Sequence, residues 1–171
     1  MSYFNVVPFR LWLFLAMGAL GAGFAQAQAP SSSAPAVLVT GQVRSAEPGK
    51  PVALTVAALE KLPQHSFTTN APWTKQAHTY TGVLLRDLLA HLGASGTQIQ
   101  ATALNDYAAT IPVDDARQFD VIVAYKIDGQ RLSVRERGPM LVMYPFDARP
   151  ELQAKRYYER SIWQLKTLAL Q

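Results

Sequence analysis

The sequence predicts an α+β domain, mixed and mostly β, with two or three short helices. Three observations predict it. Apolar residues alternate with polar or small ones in short runs such as Val37–Val43 and Ile99–Leu104, the period of half-buried strands, and Val121–Ile127 is strongly strand-like. Only one stretch, 84–92, carries a clear helical stripe. No internal repeat is present, which leaves a single mixed core as the architecture.

The elements follow in order. Val37, Val39, Gly41 and Val43 alternate with polar or small neighbours, and Pro48-Gly49 marks a turn. After Val52–Thr55, Thr55 is placed to cap a short helix, Val56–Leu62, which Pro63 stops. Gln64–Thr69 and His78–Thr81 read as strands flanking the loop 70–76, which carries Pro72 and Trp73. Leu84, Leu85, Leu88, Leu89 and Leu92 then form one apolar helical stripe ended by Gly93. Ile99–Leu104 and Ala108–Ile111 are expected to pair through Asn105-Asp106-Tyr107. Val113–Ala116 starts a short helix or turn, with Asp114 and Asp115 as helix-start acids favoured by the helix dipole. Val121–Ile127 leads into Asp128-Gly129, the strongest hairpin signal in the chain. Met140–Tyr144 reads as a buried strand ending at Pro145, and Ile162–Leu170 alternates with partial regularity.

Ahead of this domain, residues 1–27 have the parts of a secretory signal. These are a single basic residue, Arg10, an apolar run Leu11–Phe24, and the small-residue site Ala25-Gln26-Ala27. A spanning helix needs about 20 apolar residues, and glycines at 18, 21 and 23 weaken a long helix, so cleavage is expected rather than retention as an anchor. Residues 28–36 are a Pro/Ser/Ala linker too poor in apolar surface to fold, and the domain occupies 37–171. The expected location is the periplasm or the exterior, with no membrane-spanning segment after cleavage. Losing Arg10 lowers the formal charge from +4 to +3, too small and dispersed for a nucleic-acid partner. The chain has no cysteine, which excludes thiolate catalysis and thiolate metal ligation.

Few residues stand out for chemistry. His65, His78 and His91 are thirteen residues apart and share no ligand spacing with each other or with a carboxylate, so no metal site is expected. No G-x-S-x-G, phosphate loop or dinucleotide fingerprint occurs. Polar residues gather at Asn105-Asp106-Tyr107 and at Arg135–Pro139, with Tyr144, Asp147 and Arg149 following. Loop arginines suit anionic groups because the guanidinium fork binds oxyanions bidentately. The expected ligand pocket is therefore Asn105, Tyr107, Arg135, Tyr144 and Asp147, with Trp73 at its rim and a small anion as occupant.

Several runs together resemble the sulfite oxidase family. Tyr80-Thr81-Gly82-Val83-Leu84-Leu85-Arg86-Asp87-Leu88-Leu89, ending at Gly93, is similar to its W-x-G-V-x-L-x-x-L-L…G stretch. Asn105-Asp106-Tyr107 with Ile111-Pro112 resembles D-G-Y…I-P. Ile122–Leu132 resembles the family's L-A-Y-x-x-N-G-x-x-L hairpin, Gly138-Pro139…Tyr144-Pro145 its H-G-x-P-x-R-x-x-x-P strand, and Ile162–Lys166 its V-K-W-L segment. The matches run in order through nearly the whole domain.

The resemblance implies the sulfite-oxidase molybdopterin-binding fold. It also implies a metal-ligating cysteine before W-x-G-V, where this chain has Ser66–Asn70 with Thr68 or Thr69, and a histidine where Arg137 stands. The leader resembles the general secretory type, which exports chains unfolded and without a pterin. The expectation is a domain without molybdenum chemistry and without a cofactor, binding a small ligand or serving a periplasmic or membrane signalling partner. Molybdopterin is the family-implied alternative cofactor, held in an oxidoreductase that needs no protein thiolate. A purely structural interaction domain is the third reading.

Overall fold

The computed structural model describes residues 37–44 and 49–171. The expected leader (1–27) and linker (28–36) lie outside the described residues, as does Pro48 of the first turn. Ten strands and four short helices are present among them. They run β1 (Val37–Gly41), β2 (Val52–Leu54), α1 (Val56–Leu59), β3 (His65–Thr69), β4 (His78–Leu84), α2 (Leu85–His91) and β5 (Gln98–Ala103). Then follow β6 (Ala108–Pro112), α3 (Val113–Gln118), β7 (Ile122–Ile127), β8 (Gln130–Arg131), β9 (Leu141–Met143), α4 (Lys155–Arg160) and β10 (Leu165–Leu170).

The strands form two sheets. One has the order β2-β1-β10-β5-β6, in which only β1 and β10 run parallel. The other is β3-β4-β7-β8, with β9 pairing the first half of β7 while β8 pairs its end. β1 and β5 bury every second residue, as their sequence alternation requires, so each sheet turns one face to a common apolar core. β7 is buried at four consecutive positions, Ile122–Tyr125, as befits a strand enclosed on both faces. At Gly82 the β4–β7 register shifts, and a Cβ there would collide with the Val123 carbonyl, so only glycine lets the strands approach.

Most local expectations hold. Thr55 caps α1, its Oγ1 accepting from the Ala58 N–H. Asp128 and Gly129 both have positive φ, 49° and 79°, as the tight hairpin between β7 and β8 requires. In α2, Leu85, Leu88 and Leu89 are buried, and Leu92 follows them into the core, each such leucine contributing about 1.5–3 kcal/mol.

The structure adds to two expectations. The sequence predicts two or three helices, but a fourth, α4, follows Ala154; its six residues are too few for a periodic signal, and its fixed point is the buried Tyr157. Asp114 and Asp115 both stand in the first turn of α3, as expected, but their side chains differ. Asp114 is exposed and pairs with Arg117, whereas Asp115 turns inward and is only 8% exposed.

Candidate functional site

The aromatic residues that follow the strands converge on one cleft of about 380 Å³. Trp73 comes from the β3–β4 loop, Asn105 and Tyr107 from the β5–β6 turn, Tyr158 from α4, and Trp163 and Gln164 from the segment between α4 and β10. The rings of Trp73 and Trp163 meet edge-on at 5.0 Å, and Trp73 also meets Tyr158 and Phe146 edge-on at 6.4 and 5.8 Å.

The backbone explains why the cleft lies here. Residues 162–165 stitch the two sheets together. Leu104 N–H donates to the Gln164 carbonyl on one side, while Gln164, Val142 and Leu165 N–H groups bind Arg137, Ile162 and Met140 carbonyls on the other. Gln164 takes φ 49° to serve both sheets. The Tyr107 hydroxyl donates to the Glu159 carbonyl at 3.0 Å and closes the far wall. Arg137, at φ 74°, lays its guanidinium 4.3 Å from the Trp163 ring centre, a cation–π contact, and reaches the Trp73 carbonyl at 3.4 Å.

The six residues expected to share one pocket are divided. Trp73, Asn105 and Tyr107 line the cleft. Arg135 lines a different depression, together with Tyr80 and Arg137. Asp147 clamps the loop that carries Trp73. Its carboxylate accepts from Asn70 N–H at 2.6 Å, and its own N–H donates to Thr69 Oγ1 at 3.0 Å. Tyr144 is fully buried in the core, not at a surface, with its hydroxyl donating to Asp115 at 2.7 Å. Burial first, and then the Asp115 charge, hold that phenol far above its ordinary pKa. Arg160 completes the cluster at 2.8 Å from Asp115, joining α3, the end of β9 and α4.

Sequence reasoning missed Tyr158, Trp163 and Gln164 as cleft residues. The available signal was compositional: the chain's three tryptophans are Trp12, Trp73 and Trp163, and both that fall in the domain line this cleft. A larger hollow of about 520 Å³ near α2 and α3 is a weaker candidate, because its arginines, Arg86 and Arg117, already pair with Asp120 and Asp114.

The family model described as the oxidoreductase molybdopterin binding domain matches residues 36–147, more than half of the chain. The chain belongs to this family. Its fold is similar to that of the sulfane dehydrogenase SoxCD from Paracoccus pantotrophus, with a TM-score of 0.59 at 19% identity. That match covers 78% of this chain and 37% of the SoxCD chain, so the family member described here spans well under half the length of that relative. No curated protein matches the sequence.

The donor set does not fit a thiolate-bound molybdenum. Within the segment where the resemblance implies the metal ligand, Thr68 Oγ1 is bonded to Thr79 Oγ1 at 2.8 Å. Thr69 is fully buried, with its hydroxyl accepting from Asp147 N–H and directed at the Asn70 carbonyl at 3.4 Å. Both hydroxyls are used by the fold, and a neutral hydroxyl is in any case a weak ligand beside a thiolate.

Proposed function

We propose that this is an exported binding module built on the molybdopterin-oxidoreductase fold, using its aromatic cleft to hold a small ring-bearing organic molecule without molybdenum catalysis. One observation carries the reading: Thr69, in the family's metal-ligand segment, is sealed and hydrogen-bonded, while the cleft beside that loop presents Trp73, Tyr107, Tyr158 and Trp163. A predominantly apolar lining with a few polar groups is the usual build of a small-molecule site. Here Asn105 and Gln164 supply the polar groups, and aromatic edges and faces supply stacking area. The secretory leader at 1–27 supports a location outside the cytoplasm.

A second reading has its own observation. Leu104 and Tyr107, both 46% exposed, adjoin or line the cleft. Val134, 50% exposed, is tied to it through its carbonyl, which accepts from Gln164 Nε2. Such a patch also suits a periplasmic or membrane signalling protein that docks an apolar side chain there.

The test is molybdenum and pterin content of the domain purified from a host that makes molybdopterin. The expected result is neither, together with quenching of tryptophan emission on titration with a flat heterocycle such as riboflavin. Trp73 and Trp163 make that emission a direct report on the cleft. Near-stoichiometric molybdenum would overturn the reading and restore an oxidoreductase with no protein thiolate.

A further inference from the structure

Strand β3 lies at the end of its sheet, bonded to β4 on one side and, among the described residues, to no strand on the other. The direction of its free backbone groups follows from β4. The Thr79 carbonyl accepts from Asp128 N–H at 2.8 Å, and Thr79 N–H donates to Asp128 Oδ1 at 2.9 Å. Thr79 therefore turns its backbone toward β7. Bonding direction alternates along an antiparallel strand, so Thr81 does the same and Tyr80 turns to β3. Phe67, opposite Tyr80, then bonds to β4, while Ser66 and Thr68, opposite Thr81 and Thr79, aim their N–H and C=O groups outward. The side chains agree. Pairs that exchange no backbone bonds bring their side chains closest, and the hydroxyls of Ser66 and Thr81, and of Thr68 and Thr79, meet at 2.8 Å. Ser66 and Thr68 are exposed, with no backbone partner on the outer side among the described residues.

The other sheet edges are guarded. β2 is three residues long and follows Lys50-Pro51, and β6 ends at Pro112. β8 has two residues, with Arg131 held by Glu60. Proline, charge and shortness are the usual devices that keep an edge from pairing. β3 has none of them: from Gln64 to Asn70 there is no proline, lysine, arginine or carboxylate.

We propose that β3 pairs antiparallel with β3 of a second copy of this chain, about a two-fold axis at Phe67. The strand is complementary to itself in that register. Phe67 meets its own counterpart, Ser66 of each copy faces Thr68 of the other, and His65 faces Thr69. Each Ser66–Thr68 pair exchanges both backbone bonds. On the same face, the Ser66–Thr81 hydroxyl row of one copy continues into the Thr68–Thr79 row of the other. No like charges are opposed, which is the electrostatic condition for a strand to accept a copy of itself. Asn70 N–H, next in line, is already taken by Asp147 and ends the pairing. The contact does not depend on what the aromatic cleft binds.

The experiment is sedimentation equilibrium of the purified protein up to about 1 mM, because five residues per copy make a small contact and hence a weak dimer. A reversible monomer–dimer equilibrium is expected. Thr68→Pro removes an outward N–H and leaves the backbone bonds to β4 in place, and Ser66→Lys puts the same charge on both copies. Each should weaken dimerisation by about tenfold or more, with the melting temperature of dilute protein little changed. Phe67→Cys tests the register. The chain has no cysteine, so mild oxidation should give one covalent dimer, since facing residues of a pair without backbone bonds are within disulfide reach. Thr110→Cys, exposed on β6, is the control and should cross-link far more slowly. A protein that stays monomeric over the whole range overturns the proposal. A dimer that both edge variants leave unchanged lies on another surface and overturns it too, as does Phe67→Cys cross-linking no faster than Thr110→Cys. None of these readouts involves a ligand, molybdenum or pterin, so failure here leaves the cleft reading standing.

Discussion

Tyr144 and Tyr80 are both fully buried tyrosines, yet their hydroxyl groups are treated in opposite ways. Around Tyr144 every polar group has a partner: the hydroxyl binds Asp115, and Asp115 also binds Arg160. Around Tyr80 the hydroxyl has none. A closed polar cluster of the first kind fixes the packing of α3 and α4. An open one of the second kind costs stability until something else completes it. The comparison separates a buried tyrosine hydroxyl that the fold pairs from one that it leaves unpaired, although the sequence shows both as the same residue type.

The comparison can be broken most forcefully at Asp115. Asp115→Ala leaves Arg160 and the Tyr144 hydroxyl unpaired in a mostly buried place, and should cost about 3–5 kcal/mol in denaturant unfolding. A loss under about 1 kcal/mol would mean that the cluster is solvated and that the contrast with Tyr80 is false. Tyr144→Phe keeps the ion pair and removes one hydrogen bond to a charged acceptor, so about 1.5–3 kcal/mol should be lost. Tyr80→Phe is the opposite case: its unfolding free energy should stay level or rise by about 1 kcal/mol. Thr55→Ala, remote from both clusters, calibrates the series at about 1 kcal/mol for a lost helix cap.

The smallest effect concerns pH. The hydrogen bond from His78, and then that from Thr79 N–H, hold the Asp128 carboxyl below its ordinary pKa. A depressed carboxylate contributes stability that is full above its unfolded pKa of about 4 and is lost as pH falls through the lower folded value. Asp128→Asn tolerates the turn's positive φ and should flatten that part of the acid limb in a pH series of melting temperatures. Because the carboxylate is exposed, the change should be slight.

Much of the fold could be read from local signals. Alternation located β1 and β5, a strand-like apolar run located β7, leucine spacing located α2, and Asp128-Gly129 located the β7–β8 turn. Helix α4 was not readable, because its six residues carry no full apolar period and it is held by the burial of Tyr157. Of the expected site, Trp73, Asn105 and Tyr107 were legible because turn and loop residues next to strand ends reach the surface together. Arg135, Tyr144 and Asp147 were misassigned to that same pocket. Proximity along the chain to the buried strand does not say whether a side chain faces solvent, a neighbouring loop or the core.

By itself, then, the sequence determined the mixed α+β class, the family, and the lack of any thiolate, since these depend on residue identity and on patterns a few residues long. Only the tertiary structure decided that Trp73 and Trp163, ninety positions apart, share one cleft. It alone decided too that Asp115 closes around Tyr144 and Arg160 while Tyr80 is left without a partner. The physical reason is that a hydrogen bond's worth depends on whether both its partners leave water together, and that pairing is set by how two sheets and four helices pack.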